Sequence, residues 1–264
     1  MSKEYIVIIS EGEVTEKQII ENIQKNFFHK PKPSKEILFL SFKTNIYALW
    51  KVLEQDEFDT YIVDVLIERD QKIANFMKDI DKKKISEVYL FFDYDGHAYQ
   101  NKKKIGDEIV EKMLQTFDNE TEQGKLYISY PMAEALKDLK REDSCYRRCS
   151  VPAKLNIHYK HLVSLDTQFK DLTRLKERDW RLMINHCLKK SSCLILSRCE
   201  APDYHDYLKY INQNEIFKKQ LEKNIKVNQT VVVISAFPLF LIDYFGERFY
   251  YLQRYNTAAE RILL

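Results

Sequence analysis

The sequence predicts an α/β fold: a mainly parallel sheet with flanking helices, and a helical insert before the last strand. Three observations carry this. Short runs of β-formers at residues 5–9 (YIVII), 37–40 (ILFL) and 88–92 (VYLFF) are too short for most helices and read as buried strands. Between them, residues 46–53 and 61–80 carry apolar side chains at helical spacing, which is the alternation of a sheet built with crossover helices. Residues 230–234 (TVVVI) then return to strand chemistry after a long charged stretch.

The first strand stops at Ser10, Glu11 and Gly12, and Thr15 reads as the N-cap of a helix through Ile19, Ile20 and Ile23. FFHKPKPS at 27–34 is a loop, because two prolines fall within a short basic stretch. The 88–92 strand ends in Asp93-Tyr94-Asp95-Gly96-His97, and a helix follows over 104–117 with Ile105, Ile109, Val110, Met113 and Leu114 on one face. Leu126-Tyr127-Ile128 is a further strand, and residues 132–139 begin a helix carrying Glu134. Residues 179–188 and 204–221 read as helices of the insert. After the 230–234 strand, a short apolar helix runs through Leu241 and ends at Gly246, a plausible C-cap. The expected division is a core at 1–140, a basic helical insert at 141–228, and a returning strand and helix at 229–264 that complete the core sheet.

Two strands therefore end on acids. Side chains at i and i+2 of an extended chain point the same way, so Asp93 and Asp95 project together. Carboxylates held that close repel unless a cation lies between them, and hard oxygen ligands suit Mg²⁺ or Mn²⁺. The chain has five glycines, and two of them, Gly12 and Gly96, adjoin these acids. In so glycine-poor a chain they mark backbone that needs close approach or positive φ.

The strand-Glu11-Gly12 and strand-Asp93-Tyr94-Asp95 pair resembles the Toprim domain, a Rossmann-like Mg²⁺-dependent module of topoisomerases, primases and OLD-type nucleases. The run Glu11-Gly12-Glu13-Val14-Thr15-Glu16 is similar to the nuclease branch, where a second acid follows the first. Ser129-Tyr130-Pro131-Met132-Ala133-Glu134 is similar to the Ser-x-Pro-x-x-Glu signature of small RloB-like Toprim proteins, and the Toprim effector of PARIS-type anti-phage systems is a comparable small protein. The resemblance covers residues 6–139. It implies a Mg²⁺-dependent endonuclease acting on DNA or RNA, tRNA included, as a toxic defence effector beside an ABC- or OLD-type ATPase. By that resemblance Glu11, Asp93, Asp95 and Glu134 are the catalytic acids, and the same four with Glu16 hold the metal. The chain departs from OLD-type sites at their late-strand lysine: Lys137 and Lys140 lie near the third motif by position and not by pattern. An alternative from another class is a Toprim-like scaffold with weak chemistry that binds a partner ATPase or nucleic acid.

Charge supports a nucleic-acid partner. Residues 137–190 hold fourteen Lys/Arg against seven Asp/Glu, which leaves the remainder of the chain at 28 against 33. A phosphate backbone needs such a concentration. Lys137, Lys140, Arg141, Arg147, Arg148, Arg174, Arg178 and Arg181 are the candidate phosphate contacts, with Tyr146, Tyr159 and Trp180 available for stacking on bases. The competing reading is a solvated helical face. Five cysteines without CxxC spacing argue against a zinc site and for free thiols in a reducing cytoplasm. The longest apolar run, 231–245, is broken by Ser235, Pro238 and Asp243, so no membrane span is expected, and the N-terminal segment does not read as a signal peptide. No P-loop or dinucleotide fingerprint is present, so nucleotide chemistry would fall to a partner. Oligomeric state is left open.

Overall fold

The computed structural model describes residues 4–28, 35–55, 57–94, 103–139, 149–153, 156–165 and 169–255. It divides into two compact units, Met1–Tyr127 and Ile128–Leu264.

The first unit contains the strands the sequence announces. β1 (Glu4–Ser10), β2 (Lys35–Ser41) and β3 (Ile85–Asp93) are joined by helices α1 (Thr15–Phe27), α2 (Ile46–Gln55), α3 (Ile62–Arg69) and α4 (Gln71–Met77). α5 (Lys103–Thr116), the short β4 (Asp118–Asn119) and β5 (Gly124–Ser129) follow, with the boundary between units falling inside β5. The five-stranded sheet runs β2-β1-β3-β5-β4. β1 is parallel to both β2 and β3, and only the β4–β5 edge pair is antiparallel among the registers described. The architecture is α/β with a mostly parallel sheet and flanking helices, compatible with a Rossmann-like fold.

Parallel strands are covered on both faces, which explains why Ile6, Val7, Ile8 and Ile9 form an unbroken apolar run with no exposure. Ile19, Ile20 and Ile23 of α1 and Leu49 and Leu53 of α2 are buried with them. Each such side chain contributes about 1.5–3 kcal/mol by leaving water. Trp50 and Phe117 meet edge to face at 6.2 Å.

The helix expected over 61–80 is two helices, because Asp70 takes an extended conformation and its carboxylate accepts the Lys72 N–H at the start of α4. Asp favours such a capping position over a helix interior. Thr15 is the first residue of α1 and not its cap. The cap position is Val14, whose side chain makes no capping bond, and Glu16 instead reaches back to the Gly12 N–H.

The second unit differs more from expectation. Residues 133–137 form a 3-10 turn (Ala133–Lys137) where a helix was predicted. β6 (Ser150–Pro152), α6 (Asn156–Leu165), α7 (Glu177–Leu196), α8 (Tyr204–Tyr210) and α9 (Gln213–Gln220) follow. A π-helical stretch (Leu221–Ile225) leads through the single-turn α10 (Lys226–Asn228) to β7 (Thr230–Val232) and α11 (Ala236–Tyr255). The stretch 204–221 splits because Asn212 is extended and caps α9, accepting from the Glu215 N–H.

β7 does not complete the five-stranded sheet. It pairs antiparallel with β6, and Ile234 beyond it makes a single bridge to Tyr130. Its other edge is closed by Gln220, whose buried amide donates to the Val232 carbonyl at 2.7 Å and accepts from its N–H at 2.8 Å, as a neighbouring strand would. The core of this unit is the packing of α7 on α11, with Trp180, Ile184 and Leu188 from one and Phe237, Phe240 and Leu241 from the other all buried. Gly246 has φ of 72°, the left-handed value expected of a helix end, but the chain resumes a helical path beyond it to Tyr255.

Candidate active site

A mainly parallel sheet places ligands outside the carboxyl ends of its strands, where successive connections leave in opposite directions. In this sheet that point lies between β1 and β3. From β1 the chain passes by α1 to β2 on one side, and β3 pairs on the other. Glu11 directly follows β1, and Asp93 is the last residue of β3.

The backbone fixes both residues. The Glu11 N–H donates to the Phe91 carbonyl at 3.1 Å, continuing the β1–β3 ladder, while the Glu11 carbonyl accepts from the Lys43 N–H at 3.1 Å. The Glu11 carboxylate turns toward β3, where Oε2 accepts the Asp93 N–H at 3.3 Å. The two acids therefore share the crevice edge.

Glu16, on the first turn of α1, is buried and accepts the Gly12 N–H at 3.1 Å. Its carboxylate explains the glycine: a Cβ at residue 12 would lie 2.5 Å from Glu16 Oε2. Close approach is what this position requires, since Gly12 is not among the described residues with positive φ. Tyr94, 2% exposed, donates its hydroxyl to Asp107 Oδ1 on α5 at 2.8 Å and so anchors the chain immediately after Asp93. Asp95, Gly96 and His97 lie outside the described residues.

Sequence reasoning missed Lys43 and Asp70. Lys43 follows β2 with φ of 61°, and its ammonium lies 2.6 Å from Asp70 Oδ2 and 3.1 Å from Glu13 Oε1. Hydrogen bonding to Asp70 first, then to Glu13, raises its pKa above 10.5. The reciprocal bond lowers that of Asp70 below 3.8. The available signal was a lone lysine two residues beyond the second strand.

Glu134 belongs to the second unit. It is 4% exposed and paired with Lys160 at 2.7 Å. The rest of its motif has structural work: Ser129 Oγ accepts the Ala236 N–H at 3.2 Å, and Tyr130 carries the bridge to Ile234. Lys137 is half-buried, and burial lowers its pKa against the raising influence of Glu134.

Of the predicted phosphate contacts, Lys140, Arg141, Arg147 and Arg148 lie outside the described residues. Arg174 and Arg178 are 86% and 80% exposed and line an open cleft of about 550 Å³ with Lys170. Each has an acid beside it: Arg174 pairs with Asp171 at 3.0 Å and Arg178 with Asp179 at 3.7 Å. Arg181 is largely covered and lies 3.8 Å from Glu177. The stacking residues are corrected. Trp180 has no exposed surface, and Tyr159 is buried with its hydroxyl donated to Asp138 Oδ2 at 3.1 Å, so neither can present a ring to a base. Both fall on the apolar side of their helices, which a charge count does not register. Tyr146 is outside the described residues.

A divalent cation suits the donor chemistry at the crevice, where Glu11 and Asp93 end neighbouring strands and Glu16 opens the next helix, all offering hard oxygens. Among the described residues, the three acidic or imidazole ligand atoms that lie within 4.8 Å of one another are elsewhere, on Asp203, His205 and Asp206. That group is on the surface: Asp203 caps α8 and Asp206 pairs with Arg198 at 2.9 Å. Those bonds account for both carboxylates without an ion. No helix among the described residues is long and apolar enough to cross a membrane. No protein-family model, curated protein or solved structure matches the chain.

Proposed function

We propose that this chain is a Mg²⁺- or Mn²⁺-dependent nuclease of the Toprim type, of the OLD or RloB-like branch. One observation carries the reading: Glu11 and Asp93 end adjacent parallel strands at the switch point, with the Asp93 N–H on the Glu11 carboxylate at 3.3 Å. Glu11 and Asp93 would hold the ion with Glu16, and the resemblance adds Asp95 to that set. Such an ion polarises a phosphoryl oxygen and lowers the pKa of bound water. In hydrolysis the water oxygen forms the new bond to phosphorus, the bond to the sugar oxygen breaks, and that oxygen takes a proton. Glu11 would either ligate the ion or move that proton.

The resemblance extends the proposal to a toxic effector of anti-phage defence that cuts DNA or RNA under the control of an ABC- or OLD-type ATPase. Arg174 and Arg178, on an open cleft, supply exposed positive charge for a phosphate backbone.

A specific observation favours the second reading, a scaffold that binds a partner ATPase or nucleic acid: Glu16 and Glu134 are both engaged within the fold, by the Gly12 N–H and by Lys160. Plasmid DNA and total cellular RNA incubated with Mg²⁺ or Mn²⁺ separate the two, with wild type beside Glu11→Ala and with the ATPase partner added where one is encoded nearby. Cleavage by wild type alone supports the nuclease. Equal cleavage by both proteins places the chemistry elsewhere, and binding without cleavage under every condition supports the scaffold.

A further inference from the structure

The second unit holds a cleft that the proposed nuclease site does not use. Its volume is about 400 Å³, within the range of small-molecule sites. Lys190, in the last two turns of α7, lines it and is only 3% exposed, although a buried ammonium is costly and is kept where something compensates it. Its Nζ donates to the Asp138 carbonyl at 2.8 Å. Lys223 lines the cleft from the π-helical stretch, and its Nζ donates to the Leu194 carbonyl at 2.6 Å. Turns of π-helix recur at functional sites.

The remaining surface combines hydrogen-bonding Ser197 and Asn224 with apolar Leu194 and Val232, and none of the described lining residues carries a carboxylate. The carboxyl end of α7 opposes an anion with about half a negative charge. Two ammonium groups outweigh it.

We propose that this cleft binds a small phosphate monoester. Such a group carries about −1.5 to −2 at neutral pH, which matches two lysines better than a monocarboxylate does. Lys190 and Lys223 contact the phosphate, Ser197 and Asn224 hydrogen-bond to it, and the Leu194–Val232 wall takes the organic part. This site stands apart from the nuclease reading and survives its failure.

The test is calorimetric titration of the full-length protein with AMP, inorganic phosphate and adenosine at constant ionic strength. Saturable binding of AMP but not adenosine is expected. Binding of inorganic phosphate as well assigns recognition to the phosphate alone, and its absence assigns part of it to the apolar wall. Lys190→Met and Lys223→Met each keep the aliphatic stem and are expected to weaken binding at least tenfold. No saturable binding of either anion, adenosine binding as tightly as AMP, or unchanged affinity in both variants would overturn the proposal. A measurement on the wild type alone covers the case of variants that fail to fold. Cys193 lines the cleft and Cys199 is exposed, so AMP should slow alkylation of the first and leave the second unchanged. Equal rates with and without AMP also overturn it.

Discussion

The acids of the first unit and the arginines of the second hold their charges by different means. Glu11 and Asp93 are set by strand register: the sheet's own ladder brings the two chain ends together, and the Glu11 carboxylate is bound to the Asp93 N–H. Arg174, Arg178 and Arg181 are set by neighbours within four residues, each beside an acid of its own segment. A constellation fixed by long-range backbone pairing depends on what anchors the ends of its strands. A charged face built from local pairs is adjustable and weakly held. The first arrangement suits chemistry, the second suits capture of a flexible polyanion.

The sharpest way to break that contrast is at Tyr94. Tyr94→Phe keeps the buried ring but removes the bond to Asp107, loosening the end of β3. Metal affinity, read from the Mg²⁺ dependence of cleavage, is expected to fall by about 10–100-fold, the scale for a residue that orients a ligand. Cleavage recovers at saturating Mg²⁺. A fall that excess metal does not restore would give Tyr94 a different role.

Glu134 tests the other side. Glu134→Ala removes a buried carboxylate while leaving the mostly exposed Lys160 in water, so a cost of about 1–2 kcal/mol is expected in urea unfolding. Lost cleavage with an unchanged unfolding midpoint would instead place this acid in the chemistry.

Arg174→Ala and Arg178→Ala should each change stability by less than about 0.5 kcal/mol. Each should reduce the salt slope of nucleic-acid binding by about one. An unchanged slope in both would make this a solvated face. The smallest effect is at Asp70. Its pKa is lowered by Lys43, so the pair's contribution is complete above the ordinary aspartate value of 3.8 and lost as pH falls through the lowered one. A carboxyl titration followed by NMR checks the direction: Lys43→Met should raise the Asp70 pKa, with the Lys72 N–H still holding it down.

The sequence made the first unit's strands legible because parallel strands buried on both faces must be continuously apolar, as residues 6–9 and 88–92 are. It made Glu11 and Asp93 legible for the same reason: a charge that ends such a run marks a strand's carboxyl edge. It did not reveal Lys43, whose position depends on β2 pairing beside β1 and on a left-handed backbone that no local residue type announces. The destination of β7 was also hidden. TVVVI is strand chemistry in any sheet and does not itself select β6; Gln220, ten residues before the strand, closes its other edge. Trp180 misled because its neighbours Arg178 and Arg181 suggested a surface, while helical periodicity turns it inward.

The central claim is that the β1 and β3 ends hold a divalent cation. Calorimetric titration of Mn²⁺ into the wild type and into Glu11→Gln, with circular dichroism to show both folded, tests it most directly. Saturable binding by the wild type that weakens at least about tenfold in Glu11→Gln is the predicted result. Equal binding by both proteins, or none by either, would contradict it.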